Sequence, residues 1–391
     1  MTKPDEEKGS HSDCAVCGRD FAFDLPQAIV DAADKGHLVI FAGAGISTES
    51  QEGFPRTFFD DIQGTVTSGD DLSSFPKLMS AYENEFGRPK LIEKIIERLR
   101  YAETFPSLRY SVTRFHRELS SISQIQEIIT TNWDAFFEEE CGALPIVVDG
   151  DFIFHNIRGR KVYKIHGSIR NVSTIIATEA DYKRTQSKLK QSAVGGTLRH
   201  LLASKVVVYI GFSLKDSDFL NVYQPLMRSM GNMRPVAYFV TPFDNEGANK
   251  LGLHHLRTSG TEFMRSLKAH LIEDESLIPD SVLDDVLDVG EEVREARELT
   301  LEMNWRDNPE IVFSIAYQDG MIHALERIGS QRVTGEYNDS ARVQRLIHDY
   351  SRLLHRAIEK KRIWDAAYVN GYLSILFLLH LKYPSRVKVK R

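Results

Sequence analysis

The first stretch with chemical potential is Gly43-Ala44-Gly45-Ile46-Ser47, directly behind the apolar run Leu38-Val39-Ile40-Phe41-Ala42. A strand ending in G-x-G lets the backbone bend sharply and approach a pyrophosphate, whose charge main-chain N–H groups and a following helix dipole stabilise. On its own the signal is a tight turn, because Thr48 stands where a dinucleotide fingerprint has its third glycine. Three later segments join it. Thr130-Thr131-Asn132-Trp133-Asp134 closes the run Ile125–Thr131, and its plain reading is helix capping by Thr131 or Asn132, with Asp134 in the first turn. Lys164-Ile165-His166-Gly167-Ser168 delivers one histidine before a glycine, most simply a structural residue. Tyr209-Ile210-Gly211-Phe212-Ser213 again ends an apolar run in a turn. Each is weak alone, but all four fall at the carboxyl ends of expected strands, the edge at which open α/β sheets bind ligands.

The elements that must position them follow from hydrophobic pattern. Residues 25–36 read as a short helix closed by Gly36. Strands are expected at 37–42, 125–131, 145–149, 161–166, 173–178, 205–211 and 234–241, most of them nearly continuous in apolar character, as strands covered on both faces are. Helical stretches between them imply a Rossmann-like, mostly parallel sheet with helices on both faces. Residues of about 70–120 break the rhythm with a helical insertion placed to roof a pocket. Past about Glu275 the strands stop and only amphipathic or buried helices follow, so a C-terminal α-helical domain is expected. The resulting division is a flexible extension over 1–24, an α/β domain over 25–275 and a helical domain over 276–391, with the boundary in the acidic segment Glu273–Glu292.

Composition narrows the function classes. With 391 residues and 42% hydrophobic content, the chain can bury a sizeable core. A net charge of −6 provides no global basic field, so direct nucleic-acid binding is not expected. The three cysteines cannot form a disulfide framework, and the acidic start lacks the basic and apolar regions of a signal peptide, so a cytoplasmic protein is expected. Tyr372–Leu381 is far shorter than the roughly 20 residues that span a bilayer. His11, Cys14 and Cys17 have zinc-knuckle spacing without a clear fourth ligand, and no metal is expected.

Taken in order, G-A-G-I-S, G-F-P, T-x-N-x-D, H-G and G-x-S resemble the sirtuin pattern over roughly residues 25–275. The resemblance implies NAD+ as substrate, with Asn132 and His166 catalytic in cleavage of its nicotinamide–ribose bond. By the same matching, Gly43, Ala44, Gly45 and Ser47 would hold the diphosphate, Gly211 and Ser213 the adenosine side, and Thr131 and Asp134 the asparagine loop. Phe54 and Arg56 match the nicotinamide side, although the family's aspartate is absent from Gly53–Phe58. The four-cysteine zinc module and peptide-pairing strand of protein-deacylating sirtuins have no counterpart after His166. What remains is similar to the sirtuin-like NAD glycohydrolases of bacterial antiphage defence, which deplete NAD to halt an infected cell. In size and layout it resembles the subunit that works with a HerA-type hexameric ATPase, which implies a gating partner and a homo-oligomer. A deacylase or ADP-ribosyltransferase, and a non-catalytic NAD- or ADP-ribose-binding subunit, are the alternatives.

Overall fold

The computed structural model describes residues 23–47, 54, 56–67, 72–211, 235–243 and 246–383. Among them the leading helix α1 (Gln27–Asp34) is followed by β1 (Leu38–Ala42). Five helices come next: α2 (Phe58–Gln63), α3 (Phe75–Phe86), α4 (Arg88–Thr104), α5 (Pro106–Val112) and α6 (Arg114–Ser120). Then follow β2 (Glu127–Thr130), α7 (Phe136–Cys141), β3 (Leu144–Ile146), β4 (Lys161–Lys164), α8 (Glu179–Gln191), α9 (Ala193–Ser204), β5 (Val206–Ile210), β6 (Ala237–Val240), α10 (Glu246–Lys250) and β7 (His254–Leu256).

The seven strands form one sheet in the order β3-β4-β2-β1-β5-β6-β7, and every neighbouring pair is parallel. β1 is buried along its whole length, as its unbroken apolar run requires. Val39 and Phe41 pack with Leu198, Leu201 and Leu202 of α9, while Leu38 and Ile40, on the alternate face, are equally buried. From β1 the chain heads toward β2, whereas from the adjacent β5 it heads toward β6. The strand order thus changes direction between β1 and β5, the kind of switch point at whose carboxyl edge open α/β sheets bind ligands.

Two strand expectations need correction. Residues 173–178 make no strand: a single 3-10 turn at Val172–Thr174 is followed by irregular chain. Ile175 and Ala177 are buried instead against Leu78, Leu91 and Ile95 of α3 and α4. Their backbone is satisfied off the sheet, since the Ile175 carbonyl accepts from Arg88 Nη2 at 2.6 Å and the Ile176 amide donates to the His166 carbonyl at 3.0 Å. The strand expected at 145–149 stops at Ile146, because the amides of Val147 and Val148 both donate to Asp151 Oδ2 and turn the chain away. Conversely β7, unforeseen, pairs with β6.

The last helices are α11 (Gly260–Glu273), α12 (Asp280–Leu287), α13 (Val289–Glu302), α14 (Ile311–Ser330), α15 (Ser340–Glu359) and α16 (Ile363–Lys382). The chain divides into two compact units, the described residues of Met1–Glu118 with Ile125–Ser266, and those of Leu119–Gln124 with Leu267–Arg391. The second unit has its own core around Leu283, Val286, Ile328, Leu376 and Leu379. Helices α14 and α16 meet there backbone to backbone. A Cβ on Gly320 would lie 2.0 Å from the Tyr368 carbonyl, and one on Gly371 would lie 1.8 Å from that of Tyr317. The acidic segment read as a boundary carries α12, whose Leu283 and Val286 reach this core.

Candidate active site

Four neighbouring strands, β4-β2-β1-β5, end in the four loops singled out by sequence. Their register is in step. Ala42 pairs with Thr130 of β2 and with Ile210 of β5, and Thr130 pairs with Lys164 of β4. Asn132 and His166 each lie two residues beyond the Thr130–Lys164 pair, so they leave adjacent parallel strands at the same level, with backbones spaced by about 4.8 Å at the sheet. Both are almost fully buried.

The loops after β1 and β5 touch directly. The Gly43 amide donates to the Ile210 carbonyl and the Gly45 amide to the Gly211 carbonyl, both at 2.9 Å. Gly211 sits at φ +60, and a Cβ there would come within 2.5 Å of the Ile46 side chain. Glycine is required both by the left-handed backbone and by the approach. Ala44–Ile46 forms one 3-10 turn, whose middle residue Gly45 is exposed at the sheet edge.

The asparagine loop is held by a chain of buried polar groups. The Thr130 hydroxyl donates to the Ala42 carbonyl at 2.9 Å and accepts from the Asn132 amide nitrogen of the backbone at 3.0 Å, which sets the turn. Asn132 Nδ2 donates to Ser47 Oγ at 3.3 Å, and Ser47 Oγ donates to Asp134 Oδ2 at 3.1 Å. Asn132 Oδ1 is buried and has no hydrogen-bond partner among the described residues. The expected capping by Thr131 or Asn132 is not seen, because α7 starts only at Phe136, whose amide donates to Asp134 Oδ1 at 3.2 Å. Thr131 continues the ladder through its amide to the Ala42 carbonyl. Beneath the loop, Lys164, with no exposed side chain, donates Nζ to the Asp134 carbonyl and pairs with Glu138 Oε1 at 3.2 Å. Burial pushes the Asp134 carboxyl above the usual range, and the Lys164 ammonium, the Phe136 amide and the Ser47 hydroxyl pull it back. Glu138 is likewise raised by burial against the pull of Lys164.

His166 is tied to the same loop. Trp133 Nε1 donates to the His166 carbonyl at 3.1 Å, and the Ile169 amide donates to the Trp133 carbonyl at 2.8 Å. Its imidazole meets the ring of Tyr182 edge to face at 5.1 Å between centroids. Tyr182 is carried by α8, whose start is held by Asp181. Burial alone would raise the Asp181 carboxyl, but the amides of Ala177 and Thr178 and the Arg88 guanidinium at 2.7 Å outweigh it and hold it low. Helix α4 thereby reaches the segment behind the histidine.

Phe54 and Arg56 are placed by the helices after β1. The guanidinium of Arg98, on α4, lies 4.2 Å above the Phe54 ring, donates to the Arg56 carbonyl at 2.9 Å and pairs with Asp61 at 2.8 Å. Phe54 is buried, while the Arg56 side chain is exposed. Ser213 lies outside the described residues, as do His11, Cys14 and Cys17. Among the described residues no group of three His, Cys, Asp or Glu is arranged to hold a metal ion. Sequence reasoning missed Lys164, Glu138, Thr130 and Arg98. The one available signal was Lys164 standing inside a buried apolar run, where a charge requires a partner.

Residues 126–264 match the SIR2-like domain. That span contains Asn132, Asp134, His166 and Gly211. The chain is 27% identical over 195 residues to a protein named NAD(+) hydrolase ThsA from Enterococcus faecium, a match covering 48% of this chain and 39% of that one. The chain thus spans well under half the length of that curated relative. Among solved structures it is similar to a Sir2 homologue point mutant in complex with ADP-ribose, at 14% identity, covering 64% of this chain and 97% of that one, with a TM-score of 0.35. A structure described under the mechanism and regulation of Sir2 enzymes matches at 13% identity, covering 62% of this chain and 96% of that one, with a TM-score of 0.33.

Proposed function

We propose that the chain is an NAD+ glycohydrolase that cleaves NAD+ to nicotinamide and ADP-ribose. The observation that carries this reading is the emergence of Asn132 and His166 at one level from adjacent strands, beside the interlocked Gly45 and Gly211 loops. The SIR2-like match over that edge and the name of the Enterococcus faecium relative support it. Gly43, Ala44, Gly45 and Gly211 offer a backbone that a diphosphate can approach closely, with Ser213 on the adenosine side. Phe54 and Arg56 are assigned to the nicotinamide side and Thr131 to the asparagine loop. Ser47 and Asp134 serve the same site from beneath Asn132.

In this reading the bond from ribose C1′ to the nicotinamide nitrogen breaks, and its electron pair leaves with nicotinamide. Positive character develops on the ribose ring. Asn132 Oδ1 accepts from a ribose hydroxyl or from the attacking water, whose oxygen bonds to C1′. His166 takes the proton released in that step. General-base help of this type is worth roughly 10²- to 10⁴-fold.

Such an enzyme drains a shared cofactor, so its activity has to be gated. We assign it to antiphage defence by NAD depletion, as a homo-oligomer controlled by a HerA-type hexameric ATPase, with the helical C-terminal residues serving assembly. Incubation of the purified chain with NAD+, alone and with the co-purified ATPase, is expected to release nicotinamide and ADP-ribose in equal amounts. Consumption of NAD+ only with an acyl-lysine peptide, or binding without release under every condition, would replace this function with the deacylase or the sensor.

A further inference from the structure

We propose that Lys164, Asp134 and Ser47 form a positioning relay that fixes the Asn132 side-chain amide in one orientation and commits its Oδ1 to accept from a hydroxyl or water of the ligand. The proposal deepens the hydrolase reading and rests on the same site. Its ground is the donor and acceptor count along the chain of contacts. A serine hydroxyl has one proton to give. With that proton on Asp134 Oδ2 at 3.1 Å, Ser47 can only accept from its other neighbour, and the Asn132 group 3.3 Å away must be Nδ2. The amide is thereby turned so that Oδ1 is left unspent, a buried acceptor with no partner among the described residues. A buried acceptor left in that state costs stability, which fits a group held ready for a ligand.

The relay depends on Asp134 being an acceptor at Oδ2, and the fully buried Lys164 supplies the positive charge that favours this. Its ammonium donates to the Asp134 carbonyl and lies 3.2 Å from Glu138 on the following helix, so the lysine fixes both the backbone of the loop and its charge balance. Lys164 thus acts on the ligand only through Asp134, Ser47 and Asn132, and is a positioning residue.

The test reads Asn132 itself. In protein labelled with 15N-asparagine, the side-chain amide pair of Asn132 is assigned by its loss in Asn132→Asp. Ser47→Ala and the charge-balanced pair Lys164→Met with Glu138→Gln are each expected to shift that pair and speed its exchange with solvent. In the nicotinamide-release assay both are expected to lower kcat about 10- to 100-fold while KM for NAD+ stays within about threefold. An unshifted Asn132 signal in a folded variant overturns the relay, and so does a raised KM with kcat preserved, the pattern expected if Ser47 touches NAD+ directly. Should the double variant not fold, Lys164→Arg, which keeps the charge but displaces it from the Asp134 carbonyl, takes its place in the same measurement. If the wild type releases no nicotinamide under any condition, the hydrolase reading falls, and the amide signal alone still decides the relay.

Discussion

Single side chains show where sequence carried the site and where it did not. Asn132 and His166 are singled out through the resemblance of T-x-N-x-D and H-G to the sirtuin pattern, since alone the first reads as a helix cap and the second as a structural histidine; the structure adds that they leave adjacent strands at one level. The groups that hold them were not legible, since Lys164 and Glu138 have the composition of solvated surface residues and only the fold buries them. His116 is a second such case. It lies fully buried among Phe115, Phe136 and Phe137, and neither ring nitrogen has a hydrogen-bond partner among the described residues. Burial, with the charges of Lys164 and Arg117 adding to it, lowers its pKa from 6.5 to about 3. The folded state keeps the ring neutral where the unfolded chain protonates it, so the stability it contributes is complete above pH 6.5 and declines as pH falls from 6.5 toward 3. Each unit of difference is worth about 1.4 kcal/mol. Urea unfolding of His116→Leu across that range is expected to show a shallower loss of stability on acidification than the wild type, by a few kcal/mol at the acid end. Parallel curves would mean that His116 is solvated or partnered.

At the level of elements, continuous apolar runs identified six of the seven strands, because a parallel sheet buries both faces of each strand. The same rule misread Ser173–Thr178, an apolar run that is buried under α3 and α4 with its backbone bonded to Arg88 and His166. Hydropathy reports burial and leaves open which element does the burying. It also passed over β7, where His254 is exposed and only three residues pair. The decisive loop contact is that of Gly45 with Gly211, and it was only half visible. Two glycine turns could be read, but their mutual approach follows from the β1–β5 pairing. Gly211→Ala puts an L side chain in the left-handed region, at roughly 1–2 kcal/mol, and drives its Cβ into Ile46. Calorimetry is expected to find ADP-ribose affinity lowered by at least about tenfold, the equivalent of 1.4 kcal/mol, in a protein whose strands stay protected from hydrogen exchange. Unchanged affinity would detach this loop pair from the ligand.

On the scale of the whole molecule, the net charge of −6 argued against a nucleic-acid surface. Among the described residues no helix is long and apolar enough to cross a membrane. The two compact units each have a core of their own, one on the sheet and one among α12–α16, and the four convergent loops belong to the first. The helical unit was legible as helices from their periodicity, but helical periodicity carries no chemistry, and its place in assembly or gating rests on the proposal above. Everything proposed for the molecule, from NAD depletion to the need for a gating partner, depends on one reaction at one pair of residues. The direct measurement is nicotinamide release from NAD+ by the wild type, Asn132→Ala and His166→Ala, each shown by its melting curve to be folded. The wild type is expected to release nicotinamide, and both variants to lose about 10²-fold or more of that rate. Wild-type rates in either folded variant would contradict the proposed reaction.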